Sequence, residues 1–318
     1  MNYKPILVVA GEPKSIFYEI FFKSIKAKKF KSPIVLIASR KIIKKEVKKN
    51  NYKKKISEID DVNFKLKKNS LYFININFPK NKNLNNKNIN SKIYIDNCFK
   101  KAFKILRGEV TDKFINGPIS KKNFLNKKFL GMTEFISYNF NIRKNAMLIY
   151  NKKLSVCPLT THLPIKMVAK KINKKMIIEK VSLIHKFYKN KFKINPNIGV
   201  LGLNPHCESI EKFNEDDLIL RPTIKYLKKL NYKISGPFSA DTSFLKQNRK
   251  KFDVIIGMYH DQVLTPLKTL FEYDAINITL GLPFTRISPD HGPNKKMIGK
   301  NKSNPLSLIK AISFLDKN

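Results

Sequence analysis

Several short apolar runs in this chain each stop at a polar turn carrying glycine or histidine, and that recurrence constrains the fold more than any other feature. Pro5–Ala10 (PILVVA) stops at Gly11, and Phe114–Gly117 leads into Pro118. Asn197–Leu203 (NIGVLGL) stops at Asn204-Pro205-His206, and Asp253–Met258 (DVIIGM) at Tyr259-His260. Apolar runs this short, without polar alternation, are strands buried on both faces, as in parallel sheets. Pro33–Ala38 (PIVLIA) and Met147–Tyr150 read the same way. Residues 93–106 and 166–188 carry apolar positions at helical spacing. Strands alternating with helices predict an α/β fold with a mostly parallel sheet. In open α/β sheets ligands bind at the carboxyl ends of strands, so the polar clusters after residues 10, 116, 203 and 258 are the candidate site. Residues 79–92 (PKNKNLNNKNINSK) are polar and low in complexity, which predicts a surface loop.

The 318 residues allow one large or two medium domains, and 42% hydrophobic residues suffice for a core. No run approaches the roughly 18 apolar residues of a membrane span. Met1–Ala10 lacks a small-residue cleavage site and reads as a first strand rather than a leader. Cys98, Cys157 and Cys207 are odd in number and widely spaced, so a reducing, cytoplasmic setting is expected. The formal charge is +41, yet only six of the 64 basic residues are arginine. Nucleic-acid faces use the guanidinium fork, and here lysine is spread along the whole chain. The expectation is a solvated lysine surface with no nucleic-acid partner, whose field helps to attract anionic substrates.

Four of five histidines occupy polar turns: Thr160-Thr-His162, Asn204-Pro-His206, Tyr259-His260-Asp261 and Asp290-His291-Gly292. The fifth, His185, lies in a helical pattern. A single loop histidine is more often structural, but several at separate strand ends suit a metal, because neutral imidazole is a common ligand. Asp261 follows His260, and Asp241 lies in Gly236-Pro-Phe-Ser-Ala-Asp-Thr242. Each acid is read either as a chemical group or as a helix cap. Lys268, Asn277 and Arg286 recur at intervals of nine in an otherwise apolar stretch, a set suited to phosphate or carboxylate. Thr133, in Gly131-Met-Thr-Glu134, either donates to an anion or caps a helix. Gly11-Glu-Pro13 is not GxGxxG, so a Rossmann dinucleotide site is not supported.

Taken in order, these motifs resemble the 4-hydroxythreonine-4-phosphate dehydrogenase family. The matching pieces are Gly11-Glu-Pro13 with Glu19, Asn116-Gly-Pro-Ile-Ser-Lys121, Gly131-Met-Thr-Glu-Phe135, Thr161-His-Leu-Pro164, Gly202-Leu-Asn-Pro-His206, Gly236 to Thr242, Met258-Tyr-His-Asp-Gln262, and Asn277 to Phe284 with Arg286 and Asp290-His-Gly292. They span nearly the whole chain. The resemblance implies an isocitrate/isopropylmalate-dehydrogenase-like α/β/α fold, with residues 1–126 plus 281–318 as one domain and 127–280 as a second that carries the dimer interface. It implies a homodimer with a shared active site in a cleft; the lack of a long apolar run adds the expectation of no membrane partner.

The resemblance places a divalent metal (zinc, magnesium or cobalt) on His162, His206 and His260, with one of them from the partner subunit. Substrate contacts fall on Met132, Thr133, Lys268, Asn277 and Arg286. Catalytic roles fall on Asp241, Asp261 and Lys121. The implied reaction is oxidation with NAD (or NADP) and decarboxylation of a phosphorylated hydroxy acid, in vitamin B6 synthesis. Met132 stands where the family usually has a substrate-contacting histidine, Glu12 where it has aspartate, Lys14-Ser15-Ile16-Phe17 where the first turn is usually glycine-rich, and Val263 where glycine is common. These departures bear on substrate identity more than on reaction type, and sibling enzymes oxidise phosphorylated four-carbon sugar acids. A zinc hydrolase on the same histidines is the other chemical reading, but it leaves the Lys268–Asn277–Arg286 spacing unexplained.

Overall fold

The structure is a computed structural model that describes residues 3–62, 66–79, 87–120, 124–125, 129, 131–210, 213–289 and 292–316. The chain divides into two compact units, Met1–Met132 with Pro283–Asn318, and Thr133–Leu282. Among the described residues the strands are β1 (Ile6–Val9), β2 (Ile34–Ala38), β3 (Ile56–Glu58), β4 (Leu71–Asn75), β5 (Lys113–Asn116), β6 (Ala146–Tyr150), β7 (Ser155–Pro158), β8 (Ile198–Leu201), β9 (Ile234–Phe238), β10 (Val254–Gly257), β11 (Ile276–Leu280) and β12 (Thr285–Pro289). The longer helices are α1 (Phe17–Ala27), α2 (Arg40–Lys49), α3 (Lys87–Arg107), α4 (Met132–Asn139), α5 (Lys174–Phe192), α6 (Arg221–Lys229), α7 (His260–Phe271) and α8 (Leu306–Leu315). No helix among the described residues is long and apolar enough to cross a membrane.

In the first unit the strand order is β3-β4-β2-β1-β5-β12, and every pairing is parallel. All four residues of β1 are fully buried, as the unbroken run Ile-Leu-Val-Val requires. Helix α1 buries Phe17, Tyr18, Ile20, Phe21 and Phe22. Phe17 stacks on Phe21, and Phe21 meets Phe22 edge-on. Each such ring contributes roughly 1.5–3 kcal/mol by leaving water. α3 packs on β1 and β2, and α8 packs on β12, β5 and α1. The chain runs from β1 to β2 on one side, and β5 lies on the other. The order reverses there, which opens a crevice at the carboxyl ends of β1 and β5.

In the second unit the order is β11-β6-β7-β10-β8-β9. β7, β10, β8 and β9 run parallel, whereas β6 is antiparallel to both β7 and β11. Here the order reverses between β8 and β10. Met147, Val156, Leu201, Ile255, Val263 and Leu267 belong to its core. α5 begins at Asn173, whose side chain accepts from Met176 N at 3.0 Å, and it buries Ile177, Val181, Ile184 and Tyr188 at helical spacing.

One reading changes, and a second is resolved from one or two helices to two. The expected loop over 79–92 is helical from Lys87 onward as the start of α3, and residues 80–86 lie outside the described residues. Its first turns are polar because only later residues of the helix reach the core, Tyr94 and Ile95 first. The helical stretch at 166–188 is two helices, Val168–Lys171 and α5, separated at Ile172–Asn173.

Candidate active site

The histidine turns of the second unit leave adjacent strands at their carboxyl ends. β7 ends at Pro158 and leads to His162, β10 ends at Gly257 and leads to His260, and β8 ends at Leu201 and leads to His206. The β8 and β10 ends are those at which the strand order reverses. The rings of His162 and His260 come together, with centroids 6.1 Å apart and planes tilted by 35°. His260 opens α7, and its Nδ1 lies 2.6 Å from Oδ1 of Asp261. A carboxylate only accepts hydrogen bonds, so in this contact the ring donates from Nδ1–H, which in a neutral imidazole leaves the lone pair on Nε2. Asp261 therefore orients a ring rather than capping the helix, whose preceding residue is Tyr259.

His206 stands apart from that pair, and among the described residues no three His, Cys, Asp or Glu side chains form a group able to hold a metal. His206 is exposed and in the left-handed region at φ 55°, followed by Cys207 at φ 60°. Two consecutive non-glycine residues with positive φ cost on the order of 1–3 kcal/mol each, so the surrounding structure must hold them. Asp216, fully buried, does so. Its carboxylate accepts from Leu203 N at 2.9 Å, Asn204 N at 3.0 Å and Asn204 Nδ2 at 2.9 Å. Arg221 Nη2 also donates to the Cys207 carbonyl at 3.2 Å. A cavity of about 680 Å³ beside His206 is lined by Cys207, Arg221, Phe238, Ser239 and Thr242 among others.

The remaining candidates of this unit are spread over β9, α4, α7 and β11. Asp241 is exposed in the single helical turn Ala240–Ser243 that follows β9, and Ser239 precedes that turn, so Asp241 is not its cap. Lys268 lies two turns along α7 from His260. It is half-buried, and loss of water lowers its ammonium pKa from the ordinary value. Asn277 is half-buried on β11, and its Oδ1 is buried with no hydrogen-bond partner among the described residues. Thr133, in the first turn of α4, places Oγ1 3.4 Å from Thr279 Oγ1 on β11. Met132, the last residue of the first unit's opening segment, starts α4 and is half-buried.

In the first unit, Arg286 on β12 is 2% exposed, and its Nε donates to Asn116 Oδ1 at 2.7 Å. Asn116 ends β5, and its Nδ2 donates to the Gly117 carbonyl at 3.0 Å. Beside it the turn after β1 docks through Glu12 N, which donates to the Pro118 carbonyl at 3.0 Å. Lys121, Asp290 and His291 lie outside the described residues. Sequence reasoning gave no role to Asp216, Gln262 or Asn116. Their partners are distant in sequence or are backbone groups, so no local pattern marks them.

The pyridoxal phosphate biosynthetic protein PdxA family model matches residues 29–315. The chain is 36% identical over 318 residues to the 4-hydroxythreonine-4-phosphate dehydrogenase of Sulfurihydrogenibium sp. (strain YO3AOP1), covering 97% of this chain and 96% of that one. Its fold superposes with a TM-score of 0.84, at 24% identity and 99% coverage of both chains, on the 4-hydroxythreonine-4-phosphate dehydrogenase from Klebsiella pneumoniae. It also superposes, at a TM-score of 0.50 and 10% identity, on isocitrate dehydrogenase from Methylococcus capsulatus, covering 98% of this chain and 84% of that one. The α/β fold is thus of the isocitrate-dehydrogenase type, as expected. A family match across most of the chain, and a relative so similar over nearly its full length, establish that this chain belongs to the pyridoxal phosphate biosynthetic protein PdxA family.

Proposed function

We propose that this chain is an NAD-dependent dehydrogenase that oxidises the secondary hydroxyl of 4-phosphooxy-threonine, with loss of the carboxyl group as carbon dioxide, to give 3-amino-2-oxopropyl phosphate. The observation that carries this reading is the juxtaposition of His162 and His260 at the ends of β7 and β10, with Asp261 fixing the tautomer of His260. Neutral imidazoles with a carboxylate behind one of them fit a divalent cation, and three imidazoles favour zinc over magnesium. His162, His206 and His260 would hold that cation. When bound, it lowers the pKa of the substrate hydroxyl and stabilises negative charge developing on the oxygen.

The other roles follow from what each side chain offers. Asp241 is exposed and able to take the hydroxyl proton. Lys268, Thr133 and Arg286 supply donors for phosphate and carboxylate. The buried Oδ1 of Asn277 is an acceptor that suits a ligand N–H or O–H, such as the substrate amine. Lys121 keeps the role the resemblance gives it. The nicotinamide, NAD or NADP, follows from the dehydrogenase reading, and no residue here is assigned to it.

His206 points to a homodimer. It is exposed, held in a strained conformation and outside its own chain's histidine pair. A second copy of the chain is the natural recipient, and Ile210, Phe213 and Leu218 offer exposed apolar surface in the same stretch. A second substrate reading, a phosphorylated four-carbon sugar acid, rests on Met132, a thioether that forms no strong hydrogen bond to a polar substrate group.

The test is formation of reduced nicotinamide with 4-hydroxythreonine 4-phosphate, with and without a chelator. Chelator-sensitive formation is expected. Activity only with a phosphorylated tetronic acid would transfer the proposal to that substrate. No reduction with either would overturn it.

A further inference from the structure

We propose that Gln262 is a positioning residue that ties the turn bearing His260 to the turn bearing His206. Its side-chain Oε1 accepts from Met258 N at 2.6 Å, and its Nε2 donates to the Gly202 carbonyl at 2.8 Å. Met258 ends the β10 run two residues before His260, and Gly202 follows β8 four residues before His206. One side chain therefore uses its acceptor on one histidine turn and its donor on the other. Met258 is also held through its carbonyl, to which Thr160 Oγ1 donates at 2.7 Å. Thr160 lies two residues before His162. On the far side, Asp216 grips Leu203 and Asn204, two of the three residues between Gly202 and His206. Thr160, Met258, Gln262 and Gly202 thus form one hydrogen-bonded frame linking the three histidine turns, and Asp216 fixes the His206 turn at the next two residues, Leu203 and Asn204.

The backbone leaves room for this frame. A methyl group at Gly257 would lie 2.9 Å from Gln262 Oε1 and 2.4 Å from Val263 Cγ1, and one at Gly202 would lie 2.9 Å from Asp216 Oδ1. Only an amide of this length, with one acceptor and one donor end, satisfies a peptide N–H and a peptide carbonyl on two different strands. Groups that orient metal ligands without touching the metal typically change affinity by about 10–100-fold when removed. This inference rests on the metal reading proposed above.

The experiment titrates the metal-free full-length protein with Co(II), recording affinity and the visible ligand-field spectrum, alongside thermal unfolding. Gln262→Leu is expected to weaken Co(II) binding about 10–100-fold and to alter the spectrum. Gln262→Glu keeps the acceptor for Met258 N but sets a carboxylate against the Gly202 carbonyl, so it should weaken binding as well. Tyr188→Phe is the stability control, since it deletes a buried hydrogen bond to Ser155 Oγ at 2.8 Å, at the opposite end of β7 from the His162 turn. It should lower the melting temperature and leave Co(II) affinity unchanged. Wild-type affinity and spectrum in Gln262→Leu, or an equal loss in Tyr188→Phe, would overturn the positioning role. Wild-type binding in His260→Ala would instead overturn the metal reading, and this role with it.

Discussion

Lys268 and Arg286 carry the same formal charge, yet their surroundings give them different chemistry. Lys268 is half-buried and its pKa is lowered by loss of water, whereas a guanidinium stays charged at any accessible pH. As a cation holding phosphate, Lys268 contributes fully below its pKa and loses its charge as pH rises through it. The KM for the phosphorylated substrate should therefore be flat at neutral pH and rise on the alkaline side, earlier than an ordinary lysine would give. Lys268→Arg should abolish that rise, and an unchanged pH profile in that variant would remove Lys268 from the site. Arg286→Ala should raise KM about 10–100-fold, since a hydrogen bond to a charged group contributes roughly 1.5–3 kcal/mol. It also strips Asn116 Oδ1 of its donor, so a lower melting temperature should accompany the change. An unaltered KM would exclude Arg286 from anion binding. The histidines were legible at this scale because imidazole is rare here and repeatedly follows a strand. Asp216 and Gln262 were not, because an aspartate in an acidic run and a glutamine in a helix reveal their partners only in space.

Among the elements, β1, β2, β8 and β10 were legible because each is a short run without charged residues inside a parallel sheet, and β5 because Phe114-Ile115 leads into the Asn116-Gly117-Pro118 turn. β7 (SVCP) and β9 (ISGPF) were not, since proline and glycine normally argue against a strand. They are tolerated because β9 lies at the edge of the sheet and Pro158 is the last residue of β7, positions where a missing N–H costs little. The turn after β1 shows how tightly a strand end is specified. Gly11 has φ +76°, and a Cβ there would lie 2.5 Å from the Pro118 carbonyl oxygen. Gly11→Ala meets both a left-handed backbone and a steric clash. It should destabilise the protein by on the order of 2–3 kcal/mol, read as a fall of several degrees in melting temperature. A melting temperature equal to that of the wild type would mean that the turn relaxes freely and that the packing of Gly11 on Pro118 does not fix it.

At the scale of the whole molecule, charge and assembly matter most. A net +41 spread over many lysines produces a field that draws anionic substrates inward and is screened by salt over about 10 Å at 0.1 M. The value of kcat/KM for a phosphorylated substrate should thus fall as ionic strength rises, with kcat little changed, and salt-independent kcat/KM would show that the lysine surface does not steer. Assembly is the stronger constraint. His206 is exposed and strained, in a turn that Asp216 holds at Leu203 and Asn204 and Arg221 holds at the Cys207 carbonyl. Such strain persists only where the surrounding structure holds it, and among the described residues the histidine rings that come together are those of His162 and His260. Phe213, 72% exposed, lies seven residues beyond His206, where an aromatic ring left in water is costly unless a partner covers it. If a second copy provides that cover and receives His206, then Phe213→Asp should yield a monomer in analytical ultracentrifugation while preserving the circular dichroism of the fold. The same variant should lose metal at protein concentrations where the wild type retains it, and high protein concentration should restore part of the binding by mass action. A dimer that persists in Phe213→Asp, or a monomer that binds metal as tightly as the wild type, would show that His206 acts within its own chain.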